Sequence, residues 1–207
     1  MIDHLDHDLP RMSRTLRIIL AAWVLAAAGG AIGLLAQETR VSGRRSTPAT
    51  WPADSRIQRA RNTGTMLVFV HPNCPCTRAT VARILDTTLG ARAKTGPAVV
   101  FVARPAADDD WRATWLLDSA ARTPGSRIVS DDRMTETALF GVETSGHVLL
   151  YDSRGALLFD GGVTAGRGHR APNAASDALS QAIVDNLSNT AKTAVFGCDI
   201  RNRRRTT

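Results

Sequence analysis

The sequence predicts an α/β domain behind one N-terminal apolar helix: a central sheet of parallel βαβ units, then a C-terminal antiparallel hairpin and a final helix. Three observations predict it. Two continuous apolar runs rich in β-branched residues, Met66 to Val70 and Ala98 to Ala103, have the pattern of strands buried on both faces. Between them the apolar period becomes that of a helix, and late in the chain a turn sequence separates two further apolar segments. The chain has 207 residues, 43% hydrophobic and 22% charged, values that fit one ordinary domain with appendages. Wholesale disorder and a polytopic membrane protein are both excluded by that balance.

Taken in order, an N-terminal tail of residues 1–15 precedes the stretch 16–36, LRIILAAWVLAAAGGAIGLLA, with Arg17 at its edge as its only charge. About 19 uncharged residues at ~1.5 Å each reach across a hydrocarbon core of ~30 Å. The apolar stretch of a cleaved signal peptide runs only about 7 to 15 residues, which favours an uncleaved transmembrane anchor. Arg11, Arg14 and Arg17 precede the helix while Arg40, Arg44, Arg45 and Arg56 follow it, so charge counting leaves the orientation open. Paired thiols suit the oxidising side, and the expectation is N-terminus in, domain out. Residues 37–64, rich in Arg, Ser, Thr, Pro and Ala, read as an extended, mobile linker.

The domain is expected over residues 65–190. Its first strand, Met66 to Val70, leads into a helix beginning near Thr77, where Val81, Ile84, Leu85 and Leu89 form one stripe that Gly90 can stop. After the strand Ala98 to Ala103, Asp108, Asp109 and Asp110 put negative charge at the start of a helix carrying Trp111, Trp115 and Leu116. Ile128 and Val129 suggest a short strand and Met134 to Phe140 a short helix. His147 to Tyr151 and Ala156 to Phe159 form a hairpin turned by Asp152-Ser153-Arg154-Gly155. A last helix follows Pro172 and Asn173, with Ala175, Ala178, Leu179, Ala182, Ile183 and Leu187 on one face. The expected order is β-α-β-α-β-α-β-β-α, followed by a C-terminal segment, residues 191–207, with Cys198 and a basic tail.

The net charge of +7 is an arginine charge, because only Lys94 and Lys192 are lysines, and Arg201, Arg203, Arg204 and Arg205 supply four units of it. No zinc-finger spacing, stacking aromatics or basic recognition helix accompanies it, so nucleic acid is not an expected partner.

Chemistry is concentrated in His71-Pro72-Asn73-Cys74-Pro75-Cys76-Thr77-Arg78, between the first strand and the first amphipathic helix. A thiol at a helix N-terminus faces unpaired N–H groups and the positive end of the helix dipole, which favour the nucleophilic thiolate. Cys74 and Cys76, with Pro75 fixing φ between them, can close a small disulfide ring or face one metal ion. Arg78, one turn into the helix, is a further positive charge. Cys198 is too distant in sequence to be placed: it is a candidate resolving thiol for Cys74, a spare thiol, or a link between chains. Gly166-Arg167-Gly168-His169-Arg170 reads as a solvated basic loop, with contact to an acidic partner or to the cysteines as the alternative.

These residues and this order of elements resemble the thioredoxin-like superfamily over about Thr65 to Leu187. The layout is closest to membrane-anchored members of bacterial envelopes, and HPNCPCTR, SGHVLLYD and the late FGC resemble a small group labelled RedB. The resemblance implies a thiol:disulfide oxidoreductase without a cofactor, acting on protein thiols or disulfides from a periplasmic domain on a single-pass inner-membrane anchor. It implies Cys74 as attacking and Cys76 as resolving thiol. The family pair has two intervening residues, so either Cys74 has moved inward or Asn73 holds the usual first-cysteine place and Cys74 is an addition. Where the family carries a cis-proline facing the site, this chain has Thr144-Ser145-Gly146, which makes Ser145 and Gly146, with His71, Pro72, Pro75 and Arg78, residues that shape the site. His147 follows directly. Two thiolates and an imidazole suit Cu(I) or Zn(II), so the alternative expectation is a copper-binding or copper-delivery protein similar to Sco-type chaperones, using Cys74, Cys76 and His147.

Overall fold

The computed structural model describes residues 13–38, 46–71, 74–90, 96–103, 115–123, 125–185 and 189–200. The chain divides into two units, residues 1–38 and 39–207. The first contains α1 (Arg14–Glu38), whose span Arg14–Ala36 includes an 18-residue window of mean hydropathy 2.3, none of it buried. It is long and apolar enough to cross a bilayer.

The second unit contains β1 (Thr65–Val70), α2 (Pro75–Gly90), β2 (Ala98–Ala103), α3 (Trp115–Ala121), β3 (Arg127–Ser130), α4 (Thr135–Leu139), β4 (His147–Tyr151), β5 (Leu157–Gly161), α5 (Ala174–Asp185) and β6 (Ala191–Lys192). One six-stranded sheet runs β3-β2-β1-β4-β5-β6. β1, β2 and β3 are mutually parallel, β4 is antiparallel to both β1 and β5, and β6 lies parallel to β5. This is the thioredoxin-like layout, extended by β3 at one edge and β6 at the other. The expected order of the first nine elements is the observed one; β6, only two residues long, carries no sequence pattern of its own.

All six residues of β1 are buried, because each sheet face carries a separate core. On one face Met66, Val68 and Val148 pack with Val81 and Ile84 of α2, Leu116 of α3, and Leu179 and Ala182 of α5. On the other, Leu67, Phe69 and Leu149 pack with Phe140, Tyr151, Ile57 and Ile200, with Trp51 against them. Val81, Ile84 and Leu85 of α2 and Ala178, Leu179, Ala182 and Ile183 of α5 face this core as expected, Ala175 is not among the residues packed there, and Trp115 and Leu116 do lie on α3. Asp108 to Trp111 and Leu187 lie outside the described residues, as does the side chain of Leu89.

The mobile linker is corrected on its domain side. Trp51 N–H donates to the Gly155 carbonyl and Leu157 N–H to that of Ala49, at 2.8 and 2.9 Å. Glu136 accepts from the Ser55 hydroxyl and the Arg56 N–H, and Ile57 is buried. The Trp51 ring meets Phe140 and Tyr151 edge-on, with centroids 5.1 and 5.2 Å away. Residues 46–64 are therefore part of the domain, held by backbone pairing and an aromatic box that bulk composition does not reveal. The other boundary moves too: Ile200, expected in a separate tail, is fully buried in the second core.

Candidate functional site

Cys74 directly precedes the first residue of α2, in the N-cap position, and Pro75 follows at N1, where its missing N–H is no loss. The start of the helix is fixed by Cys74 N–H donating to the His71 carbonyl and Thr77 N–H donating to the Cys74 carbonyl, at 3.0 and 3.1 Å. Cys74 is 2% exposed, whereas Cys76 and Cys198 are half-buried, and all three are free thiols.

The sulfurs of Cys74 and Cys198 are 3.0 Å apart, across 124 positions of sequence. Burial is the largest influence on the Cys74 thiol and pushes its pKa up. Hydrogen bonds from the Cys198 thiol, the Thr77 hydroxyl and the N–H groups of Cys198 and Thr77 together overcome burial and hold Cys74 below the ordinary cysteine range. Cys198 is pushed up to about 11, first by burial and then by its hydrogen bond to Cys74 and the charges of Cys74 and Cys76. Cys76 is raised as well, by burial first and the Cys74 charge next, with Arg167 opposing. The arrangement is one favoured thiolate beside two thiols that hold their protons. Such a set can attack a disulfide and then resolve the mixed disulfide.

Around the thiols, Ser145 joins three elements. Its hydroxyl accepts from the His71 N–H at 2.7 Å and pairs with the Thr77 hydroxyl at 2.6 Å, while its own N–H donates to the Cys198 carbonyl at 2.9 Å. Gly146 adopts φ of +90°, where glycine is at ease, and its N–H donates to the Phe69 carbonyl at 2.7 Å. The loop of Ser145 and Gly146 is thus tied by hydrogen bonds to His71, Thr77, Cys198 and Phe69. His71 lies in the same turn, and Pro75 opens the helix; Pro72 lies outside the described residues.

Two expectations change. Arg78 is exposed and lies over the Trp115 ring, 5.5 Å from its centroid; the cation that acts on Cys76 and Cys198 is Arg167, from the glycine-flanked loop. His147 does not join the cysteines. Its Nε2 is 2.7 Å from Asp160 Oδ1, with both side chains at least 97% buried. The reason is strand parity: His147 shares a sheet face with Leu149, whereas α2 packs on the face of Val148. Among the described residues no group of three His, Cys, Asp or Glu is arranged to hold a metal, so the ligand set Cys74, Cys76 and His147 is not assembled. Thr77 and Arg167 are the residues that sequence reasoning gave too little weight. Thr77 stands at N3, a position whose N–H faces the cap, and that spacing was the available signal.

No family model matches the chain, and no curated protein matches it by sequence. Two solved structures, each with a TM-score above 0.5, share its fold. A hypothetical protein, SMc02350, from Sinorhizobium meliloti 1021 is 15% identical with a TM-score of 0.52, over 78% of this chain and 93% of its own. An uncharacterized conserved protein from Geobacillus kaustophilus is 11% identical with a TM-score of 0.54, over 80% and 94%. A secreted Mycobacterium tuberculosis disulfide oxidoreductase, described as homologous to E. coli DsbE, superposes with a TM-score of 0.41 at 15% identity, over 60% and 83%.

Proposed function

We propose that the chain is a membrane-tethered thiol:disulfide oxidoreductase of the bacterial envelope, anchored by α1 with its domain in the periplasm. The observation that carries this reading is the Cys74 sulfur, capping α2 and 3.0 Å from a second thiol, with its pKa held low. The Cys74 thiolate attacks one sulfur of a partner disulfide and releases the other as a thiol. A second cysteine of the protein then attacks Cys74, freeing the partner as a dithiol and leaving an intramolecular disulfide. Two electrons pass from the protein to its partner, and the reverse sequence oxidises a partner dithiol. No cofactor is required. Arg167 favours the thiolate form of whichever resolving thiol ionises.

The test is turnover of a disulfide-bonded peptide by the full chain in detergent, linked to a dithiol reductant. Cys74→Ser is expected to abolish it, and turnover retained by that variant overturns the role of Cys74.

A further inference from the structure

The segment that delivers Cys198 is built into the fold more firmly than a spare tail. It leaves α5, pairs with β5 as β6, and continues with Thr193 N–H donating to the Asp160 carbonyl at 3.1 Å. It then lies extended against the loop before β4. Ser145 N–H donates to the Cys198 carbonyl and Ile200 N–H to the Glu143 carbonyl, each at 2.9 Å, and Thr144 pairs antiparallel with Asp199. A side chain at Gly197 would collide with the Ser145 carbonyl, so the backbones touch there in a way only glycine permits. Ile200 seats in the second core. Cys74, beside this segment, is 2% exposed.

Resting on the oxidoreductase reading, we infer that residues 195–200 form a tethered strap on the surface where an extended, cysteine-bearing partner segment pairs with Cys74, and that Cys198 rather than Cys76 closes the protein's disulfide. The strap presents its own cysteine to Cys74 by the same backbone pairing that an incoming strand of a partner can make with residues 143–145. A partner therefore has to displace the strap to reach Cys74. After attack, the strap returns: the Cys198 thiol gives up its proton to solvent and its sulfur attacks Cys74. The Cys74–Cys198 bond forms, the bond from Cys74 to the partner breaks, and the partner leaves as a thiolate that takes up a proton. The resting sulfurs are roughly 1 Å beyond the ~2.05 Å of a disulfide, so the bond needs only a small approach. Cys76, inside the first turn of α2, serves as a neighbouring charge-sensitive thiol and stays outside the bond.

The experiment equilibrates the full chain in detergent with glutathione buffers of stepped potential, traps free thiols, and maps disulfides by peptide mass for the wild type, Cys76→Ser and Cys198→Ser. The expected product is Cys74–Cys198 in the wild type and in Cys76→Ser, with Cys198→Ser instead accumulating Cys74 joined to glutathione. In the reduced protein, Gly197→Val is expected to speed alkylation of Cys74 about tenfold, the change given by ~1.4 kcal/mol less favourable docking. A Cys74–Cys76 bond that persists in Cys198→Ser overturns the inference and leaves the oxidoreductase standing. No reversible disulfide at Cys74 in any chain overturns both. The wild-type map decides the pairing without relying on any variant, and an unchanged alkylation rate in a folded Gly197→Val overturns the covering role of the strap.

Discussion

Truncating Ile200 to alanine separates a strap that opens from a terminus that is simply part of the core. Ile200 is fully buried with Phe69, Phe140 and Tyr151, and replacing such a residue by alanine typically costs about 2–5 kcal/mol. Two responses are available. If the segment 195–200 unfolds only with the whole domain, the loss is global, and at roughly 2–4 °C per kcal/mol for a domain of this size Tm falls by about 4–20 °C. If it opens locally, the same loss appears as a more populated open state with little change in Tm. At about tenfold per 1.4 kcal/mol, even the low end raises that population roughly 30-fold. The assay labels the fully reduced chain with a maleimide, follows modification of Cys74 by peptide mass, and records thermal unfolding in parallel. The account expects Cys74 labelling to accelerate roughly 30-fold or more while Tm moves by a few degrees at most. A large fall in Tm with Cys74 labelling unchanged below the transition would refute it.

Thiol reactivity should depend on pH in a site-specific order. Cys74 is held low by hydrogen bonds that outweigh its burial, and Cys198 is pushed up to about 11, so as pH rises Cys74 gains its thiolate first. Iodoacetamide rates mapped for each cysteine should inflect below the ordinary thiol range of ~8.5 for Cys74 and above it for Cys198, and a reversed order contradicts the site electrostatics. The linked stability terms have opposite signs. The lowered Cys74 stabilises the reduced domain fully above ~8.5 and loses this as pH falls through its folded pKa, whereas the contribution of the raised Cys198 is present below ~8.5 and is lost between there and about 11. Trp51→Ala should lower Tm by several degrees, since this half-buried ring fills an aromatic box and a fully buried Trp is worth about 3–5 kcal/mol. An unchanged Tm would return residues 46–64 to the status of a spacer.

Much of the fold was legible because its elements carry strong local periods. Met66 to Val70 and Ala98 to Ala103 are apolar on both faces, as central parallel strands require, and Val81 and Ile84 reach the core from one helix face. What escaped depends on contacts remote in sequence. The pairing of Thr144 with Asp199, and with it the approach of Cys198 to Cys74, joins segments whose local composition says nothing about each other. The linker was misread for a related reason: Ala49 and Trp51 are held through backbone groups, which any residue possesses. His147 was placed correctly at the start of β4, yet the run from His147 to Tyr151 is buried throughout, so no alternation of polar and apolar residues revealed which face His147 takes. Arg167, between two glycines, belongs to no periodic pattern. Cys74 stands out in the sequence because a thiol at a strand-to-helix junction has a chemical consequence that follows from helix geometry alone.

Attack of Cys74 on a partner disulfide is caught by acid-quenching the reduced full chain during reaction with a disulfide-bonded peptide and locating the covalent adduct by mass. The account predicts peptide joined to Cys74, with more of it trapped in Cys198→Ser, where the resolving thiol is missing. An adduct confined to Cys76, or none on any cysteine while the peptide is turned over, would contradict it.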